Sequence, residues 1–254
     1  MFELALTDTE LWLALLFFAV AILYSSVGHA GASGYLASMA LLGFAPEQMR
    51  PTALALNLLV GGIGLIRFWR GGHVQWRNVL PFVLASAPAA FFAAQIKIPK
   101  ETYSMLLGLI LLAAAVGVFR SARTAQDADA KSIGRHVPWL PGLLIGAAIG
   151  TLSGITGTGG AIFLTPLLLF AHWMPTRDAS GTSVAFVWIN SLTALAGLMQ
   201  TQQTLPAALP WWLGAVTIGA LVGTQLGLKW LPVRALRYSL SAVLLVAAGK
   251  LLLA

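Results

Sequence analysis

Charged residues cut the chain into long apolar runs: none falls within 11–46, 51–66, 78–96, 102–119, 136–176, 179–228 or 238–249. A charge at the centre of a bilayer costs roughly 3 kcal/mol, so each one marks a loop, an interface or a site. A hydrocarbon core about 30 Å thick is crossed by about 20 helical residues. The runs 51–66, 78–96 and 102–119 each predict one helix, the first lengthened by Arg67 and Arg70 reaching toward headgroups. The run 179–228 predicts two helices parted at Gln200-Thr-Gln-Gln-Thr-Leu-Pro206, and 238–249 predicts a last helix begun near Arg234.

Two runs are too long for one span. Residues 11–46 and 136–176 are each interrupted by small residues, Gly28-His-Ala-Gly-Ala-Ser-Gly34 and Gly154-Ile-Thr-Gly-Thr-Gly-Gly160. Each is either one long broken span or a hairpin of two short helices meeting at the glycines. Loop charge favours hairpins, because the Arg67–Arg77 loop, the Arg120–Arg135 linker and the Lys229–Arg237 loop then share the cytoplasmic side and hold ten of the fifteen bases. Both termini then lie outside.

Composition closes other routes. Of 254 residues 58% are apolar and 9% charged, against about 25% charge in a soluble domain, so the lipid bilayer is the expected partner and no room is left for a second, soluble domain. With no cysteine, disulfides, thiolate metal sites and Cys-held haem or iron–sulfur clusters are excluded. No cofactor or metal is expected; His73, His136 and His172 have no ligand spacing. The net charge of +7 sits in short loops, so nucleic acid is not an expected partner. The start, with Glu3, Asp8 and Glu10 and no base, has the wrong sign for a cleaved signal, and the first span is expected to be retained.

The halves resemble each other weakly. Gly31 and Gly34 align with Gly157 and Gly160 at an offset of 126, Pro46 with Pro175, Thr52 with Thr182, Pro81 with Pro210, and Pro99 with Pro232. Each half reads as a Gly-broken hairpin plus three helices. Five crossings force the second copy to insert upside down, the inverted-repeat plan of secondary transporters. The expected fold is an all-α polytopic membrane protein of two inverted five-crossing repeats, 1–120 and 137–254, joined by a cytoplasmic linker, 121–136.

Helix packing alone accounts for glycines in a membrane. Here, however, both clusters interrupt apolar runs at equivalent places and carry hydroxyls, and non-helical backbone at membrane depth needs protein or a polar cavity around it. They therefore mark a midplane site. A helix starting at such a break offers free N–H groups and about half a positive charge, so two facing one cavity suit a small anion. The expected substrate-binding residues are Ser26, Gly28, His29, Gly31, Ser33 and Gly34 from the first break and Thr156, Gly157, Thr158, Gly159 and Gly160 from the second. Asn57, Thr182 and Asn190 join them from the following helices, where an amide is either interhelical glue or a cavity donor.

His29 is the one ionisable group in either cluster: a neutral hydrogen-bonded residue, an anion contact, or a group coupling transport to protons. Arg50 reads as interfacial or as an attractor of anions at the mouth, Arg177 and Asp178 as an interfacial pair, and Trp211, Trp212 and most other tryptophans as interface anchors.

The run Gly154-Ile-Thr-Gly-Thr-Gly-Gly-Ala-Ile-Phe-Leu-Thr-Pro-Leu-Leu-Leu168, then Ala179-Ser-Gly-Thr-Ser-Val184 and Asn190-Ser191, resembles the TauE/SafE sulfite exporter family of small bacterial membrane transporters. The run from Gly28 to Leu42 with Pro46 and Pro51-Thr52 resembles the family's first repeat more loosely. The resemblance implies movement of sulfite, sulfoacetate or related organosulfonates across the bacterial inner membrane, with the family's glycine motif carried by Gly157, Gly159 and Gly160, and by Gly31 and Gly34. Where the family has three consecutive glycines, this chain has Ala161 in one copy and Ala30, Ala32 and Ser33 around Gly31 in the other. A monomeric or homodimeric secondary transporter is the expectation, with a small-anion channel as the alternative. An enzyme is not expected, since no intramembrane acid pair, His-Glu metal motif or activated nucleophile is present.

Overall fold

A computed structural model of the chain describes residues 7–26, 29–131, 137–201, 205–229 and 233–253. Among these residues there are ten helices and no strand: α1 (Asp8–Ser26), α2 (Ala32–Leu41), α3 (Pro46–Arg70), α4 (Trp76–Ala94), α5 (Lys100–Lys131), α6 (Trp139–Thr156), α7 (Ala161–Phe170), α8 (Thr176–Met199), α9 (Leu209–Lys229) and α10 (Val233–Leu253). Six are long and apolar enough to cross a membrane: α1, α3, α4, the Lys100–Arg120 part of α5, α6 and α8. Proline and glycine set most helix boundaries, but charge does not stop α3, which starts at Pro46 and takes in Glu47 and Arg50, or α5, which passes Arg120. Helix α5 runs on through the first part of the expected linker; residues 132–136 lie outside the described residues.

Both long runs break at their glycines into a long helix and one of ten residues, about 15 Å, half the bilayer core. Gly31 ends the first break with φ 104°; Gly157, Gly159 and Gly160 form the second with φ 79°, 73° and 86°, left-handed values that other residues adopt only with strain. After α2 the chain has returned to the start of α1: the Phe44 ring meets Trp212 at 6.5 Å, and Trp212 Nε1 donates to Glu10 O at 3.1 Å. After α7, Trp173 lies 6.4 Å from Phe82, the residue against which Gly146 of α6 packs. Trp212, read as an interface anchor, is buried in the main apolar cluster instead, because its ring fills the space between Phe17 and Phe44.

Packing partners exchange between the halves. Helix α6 packs on α4 and α1 on α9; α7 packs on α5 and α2 on α10; α3 meets α8, and α5 meets α10. Directions follow from residue pairs. Gly146, Gly150 and Gly154 face Phe82, Ser86 and Ala90, rising together, so α6 and α4 are parallel; Gly219 and Gly223 face Phe18 and Ile22 in the same sense. At these glycines a Cβ would strike backbone, which is how the helices come so close. By contrast α3 and α8 are antiparallel, with Asn57 at Ser191, Gly61 at Trp188 and Gly64 at Val184. Helices α5 and α10 are antiparallel too, with Gly108 at Leu252 and Ala115 O accepting from Ser241.

Candidate functional site

The two breaks meet. One crevice is lined by His29, Gly31 and Ser33 of the first break, Thr158 and Ala161 of the second, Asn57 of α3 and Val187 of α8. Its cavity volume is about 10 Å³, room for about one water. Gly31 and Gly160 are the N-caps of α2 and α7; neither helix has a side-chain cap or an acidic residue in its first turn, so the N–H groups there carry no anionic partner from the chain. Gly31 and Gly160 hold the same place, N-cap of a ten-residue helix, at the offset that relates Pro46 to Pro175. Gly34 lies inside α2, where a Cβ would fall 2.5 Å from Val20 Cγ1 and 2.8 Å from Tyr24, and is a packing glycine.

Hydroxyls and one histidine tie the breaks to the surrounding helices. His29 Nε2 lies 3.1 Å from Thr165 Oγ1, and Thr165 Oγ1 donates to Ser183 Oγ at 2.7 Å. Since the single Thr165 proton goes to Ser183, the proton between His29 and Thr165 belongs to Nε2. Ser33 Oγ and Tyr24 Oη are 2.7 Å apart. Thr156 Oγ1 donates to Leu152 O at 2.7 Å and lies 3.1 Å from Thr158 Oγ1. Asn57 Nδ2 donates to Ser191 Oγ at 3.4 Å, leaving Asn57 Oδ1 buried without a partner. A Cβ on Gly159 would lie 2.5 Å from Asn57 Nδ2, so this glycine lets the bend rest on the amide.

Other expected residues stand apart from the crevice. Ser26 Oγ donates to Leu23 O at the end of α1. Thr182 Oγ1 donates to Met174 Sδ at 3.4 Å. Asn190 is fully buried with neither amide atom hydrogen-bonded. Gly28 lies outside the described residues.

Arg50 departs most from expectation. It is 4% exposed inside α3, and its Nη2 donates to Ala94 O at 2.7 Å and Gly154 O at 2.9 Å. Both are orphan carbonyls of helix ends, α4 and α6, so a buried cation is held by two helix C-termini, with no carboxylate in ion-pair contact among the described residues. Tyr103 Oη completes this end by donating to Thr156 O at 3.0 Å. Neither role was legible beforehand; the one available signal was that Arg50 follows Pro46, a helix starter, and therefore sits inside the helix. Asp178 likewise pairs not with exposed Arg177 but with His73 Nδ1, at 2.8 Å, because the Gly71-Gly72 turn brings the α3–α4 loop onto the start of α8.

The six apolar helices of bilayer length define a multi-pass helical membrane protein, with a crevice where its two glycine breaks meet. A family model described as "Sulfite exporter TauE/SafE" matches residues 13–251, and the chain belongs to that family, a family of membrane transporters. It is similar to "Probable membrane transporter protein y4hK" of Sinorhizobium fredii, 43% identical over 246 residues that cover 96% of this chain and 99% of that one. It is also similar to "Probable membrane transporter protein" of Xylella fastidiosa strain 9a5c, 31% identical over 169 residues covering 64% and 62%. "Probable membrane transporter protein YjnA" of Bacillus subtilis is 23% identical over 250 residues, covering 92% and 96%. No solved structure matches the chain.

Proposed function

We propose that the chain is a secondary transporter that moves a small sulfur-containing anion, sulfite, sulfoacetate or a related organosulfonate, across the bacterial inner membrane. The observation that carries this reading is the convergence of two uncapped helix N-termini, α2 at Gly31 and α7 at Gly160, on one crevice that no carboxylate lines. Together they offer about one positive charge, with His29, Ser33 and Thr158 as further polar contacts. The anion is exposed to each side in turn as one group of helices moves against the other, and His29 is the group that couples movement to protons.

The architecture we infer is an inverted pair of five-crossing repeats, each opening with a Gly-broken hairpin, with both termini outside. The antiparallel packing of α3 on α8 and of α5 on α10 supports it. Equivalent helices beside a two-fold axis in the membrane plane run antiparallel, whereas an axis along the membrane normal would make them parallel.

Purified protein in proteoliposomes tests the function. Charge movement or uptake on exposure to sulfite, sulfoacetate, taurine and sulfate, with and without a pH gradient, is expected to saturate for at least one sulfur anion and to show counterflow. Single-channel currents without saturation would replace the transporter with an anion channel; silence to all four would end the reading.

A further inference from the structure

His29 and Ala30 line a second crevice as well, which runs from the central one toward the C-terminal end of α3 and is walled by Ser25, Gly61, Gly64, Arg67 and Thr224. Its cavity volume is about 30 Å³, larger than the central space. Its width comes from α3, which presents bare backbone there: a Cβ on Gly61 would meet nothing nearer than Ala30 Cβ at 3.6 Å and Trp188 at 3.8 Å. Arg67 is half-buried in this crevice and, among the described residues, has neither an ion-pair nor a hydrogen-bond partner; the one ion pair is His73 with Asp178. No carboxylate lines the space, and Ser25 Oγ is buried in its wall without a partner. Six residues separate Gly61, which faces Ala30, from Arg67, about 9 Å along the helix. An unbalanced guanidinium at that distance, in a narrow and largely apolar space, holds a positive potential that water screens only in part. At the offset that relates Pro46 to Pro175, Arg67 matches the neutral Ala196 of α8, so the second half carries no cation at the matching place.

We propose that this crevice is a second, entrance subsite, in which Arg67 captures a small oxyanion from the aqueous side and delivers it to His29 and the two helix N-termini. It rests on the transport reading for the identity of the anion, and it adds a residue that sets affinity from one side.

The chain has no cysteine, so Thr224→Cys places a single thiol on the crevice wall. Its modification rates by an anionic and a cationic methanethiosulfonate of similar size measure the local potential without reference to transport. The anionic reagent is expected to be favoured, sulfoacetate to slow it, and Arg67→Gln in the same background to lower the anion-to-cation rate ratio about tenfold. Arg70→Gln, an exposed arginine outside the crevice, is expected to leave the ratio unchanged. In proteoliposomes Arg67→Gln should raise the KM for sulfite presented from the Arg67 side about tenfold at an unchanged maximal rate, with Arg67→Lys restoring most of it. A ratio insensitive to Arg67→Gln, or a thiol that neither reagent reaches in the folded protein, overturns the subsite. Absence of transport by the wild-type protein overturns the transport reading instead, and the labelling ratio still decides the subsite.

Discussion

Arg50→Met tests whether a cation with no carboxylate partner strengthens the fold or weakens it. Two terms oppose each other. Taking a guanidinium out of water costs several kcal/mol, and replacing buried ions by apolar side chains of similar volume is sometimes neutral or stabilising. Against this, Arg50 holds Ala94 O at 2.7 Å and Gly154 O at 2.9 Å, and both carbonyls would be left buried without a donor. An orphaned buried acceptor costs about 1–3 kcal/mol, and a cation at a helix C-terminus contributes about 0.3–1 kcal/mol for each helix. In a membrane no water replaces the lost donor, which tips the balance toward the carbonyls. The net expectation is a loss of about 2–4 kcal/mol. For a chain of this size that lowers the melting midpoint by roughly 5–15 °C. Arg50→Lys, which keeps the charge on a single nitrogen, should fall between. Fluorescence-detected size exclusion after graded heating in detergent, at one fixed heating time, measures the midpoints. A Met variant as stable as the wild type, or more so, would refute the reasoning and mean that desolvation dominates.

Three more outcomes follow from the glycines and from Thr165. Gly150→Ala puts a Cβ 2.5 Å from Ser86 O where about 3.4 Å is ordinary, forcing α4 and α6 apart at about 1–3 kcal/mol, whereas Gly249→Ala meets nothing and should be neutral or gain up to about 1 kcal/mol; the same heating assay compares them. Gly31→Leu and Gly160→Leu put side chains at φ 104° and 86° at the starts of α2 and α7, against Tyr35 and against Ile149 and Phe186, and should abolish transport while the protein still inserts, as membrane-fraction yield beside proteoliposome uptake would record; survival of uptake would remove these glycines from the site. Thr165→Val cuts the His29–Thr165–Ser183 chain without changing shape and should cost about 1–3 kcal/mol, recovered by Thr165→Ser.

The helices were legible because proline and glycine do most of the punctuating. Pro46 and Pro175 start α3 and α8, and the two glycine clusters stop α1 and α6 within a residue or two of where small residues begin. Meeting points across the halves were less legible. That Gly31 and Gly160 hold the same place depends on which glycine takes a left-handed φ at a helix start, which spacing alone does not say. The contact of His29 with Thr165 spans 136 positions and has no local signature. Arg50 misled for a physical reason: charge in a membrane segment is read as interfacial unless a partner is visible, and its partners are backbone carbonyls, which no residue type announces.

Those carbonyls also bear on the anion site proposed at the second break. Helix α6 ends at Thr156 and α7 begins at Ala161, so the negative end of one dipole, about half a charge, stands close to the positive end of the next. Left alone the two would largely cancel and the break would offer an anion little. Here the negative end is occupied: Gly154 O accepts from Arg50 and Thr156 O from Tyr103. At the first break the carbonyls are occupied too, Tyr24 O by the His29 N–H, Leu23 O by Ser26 and Ala30 O by Tyr35. At both breaks donors meet carbonyls at or just after the helix that ends, and among the described residues no side-chain acceptor caps the helix that begins at Gly31 or Gly160. The first break achieves this with neutral donors and the second with a buried guanidinium. On the proposed reading the buried guanidinium makes the second break the more electropositive of the two, and Arg50 would act on the anion through the α6 terminus without touching it.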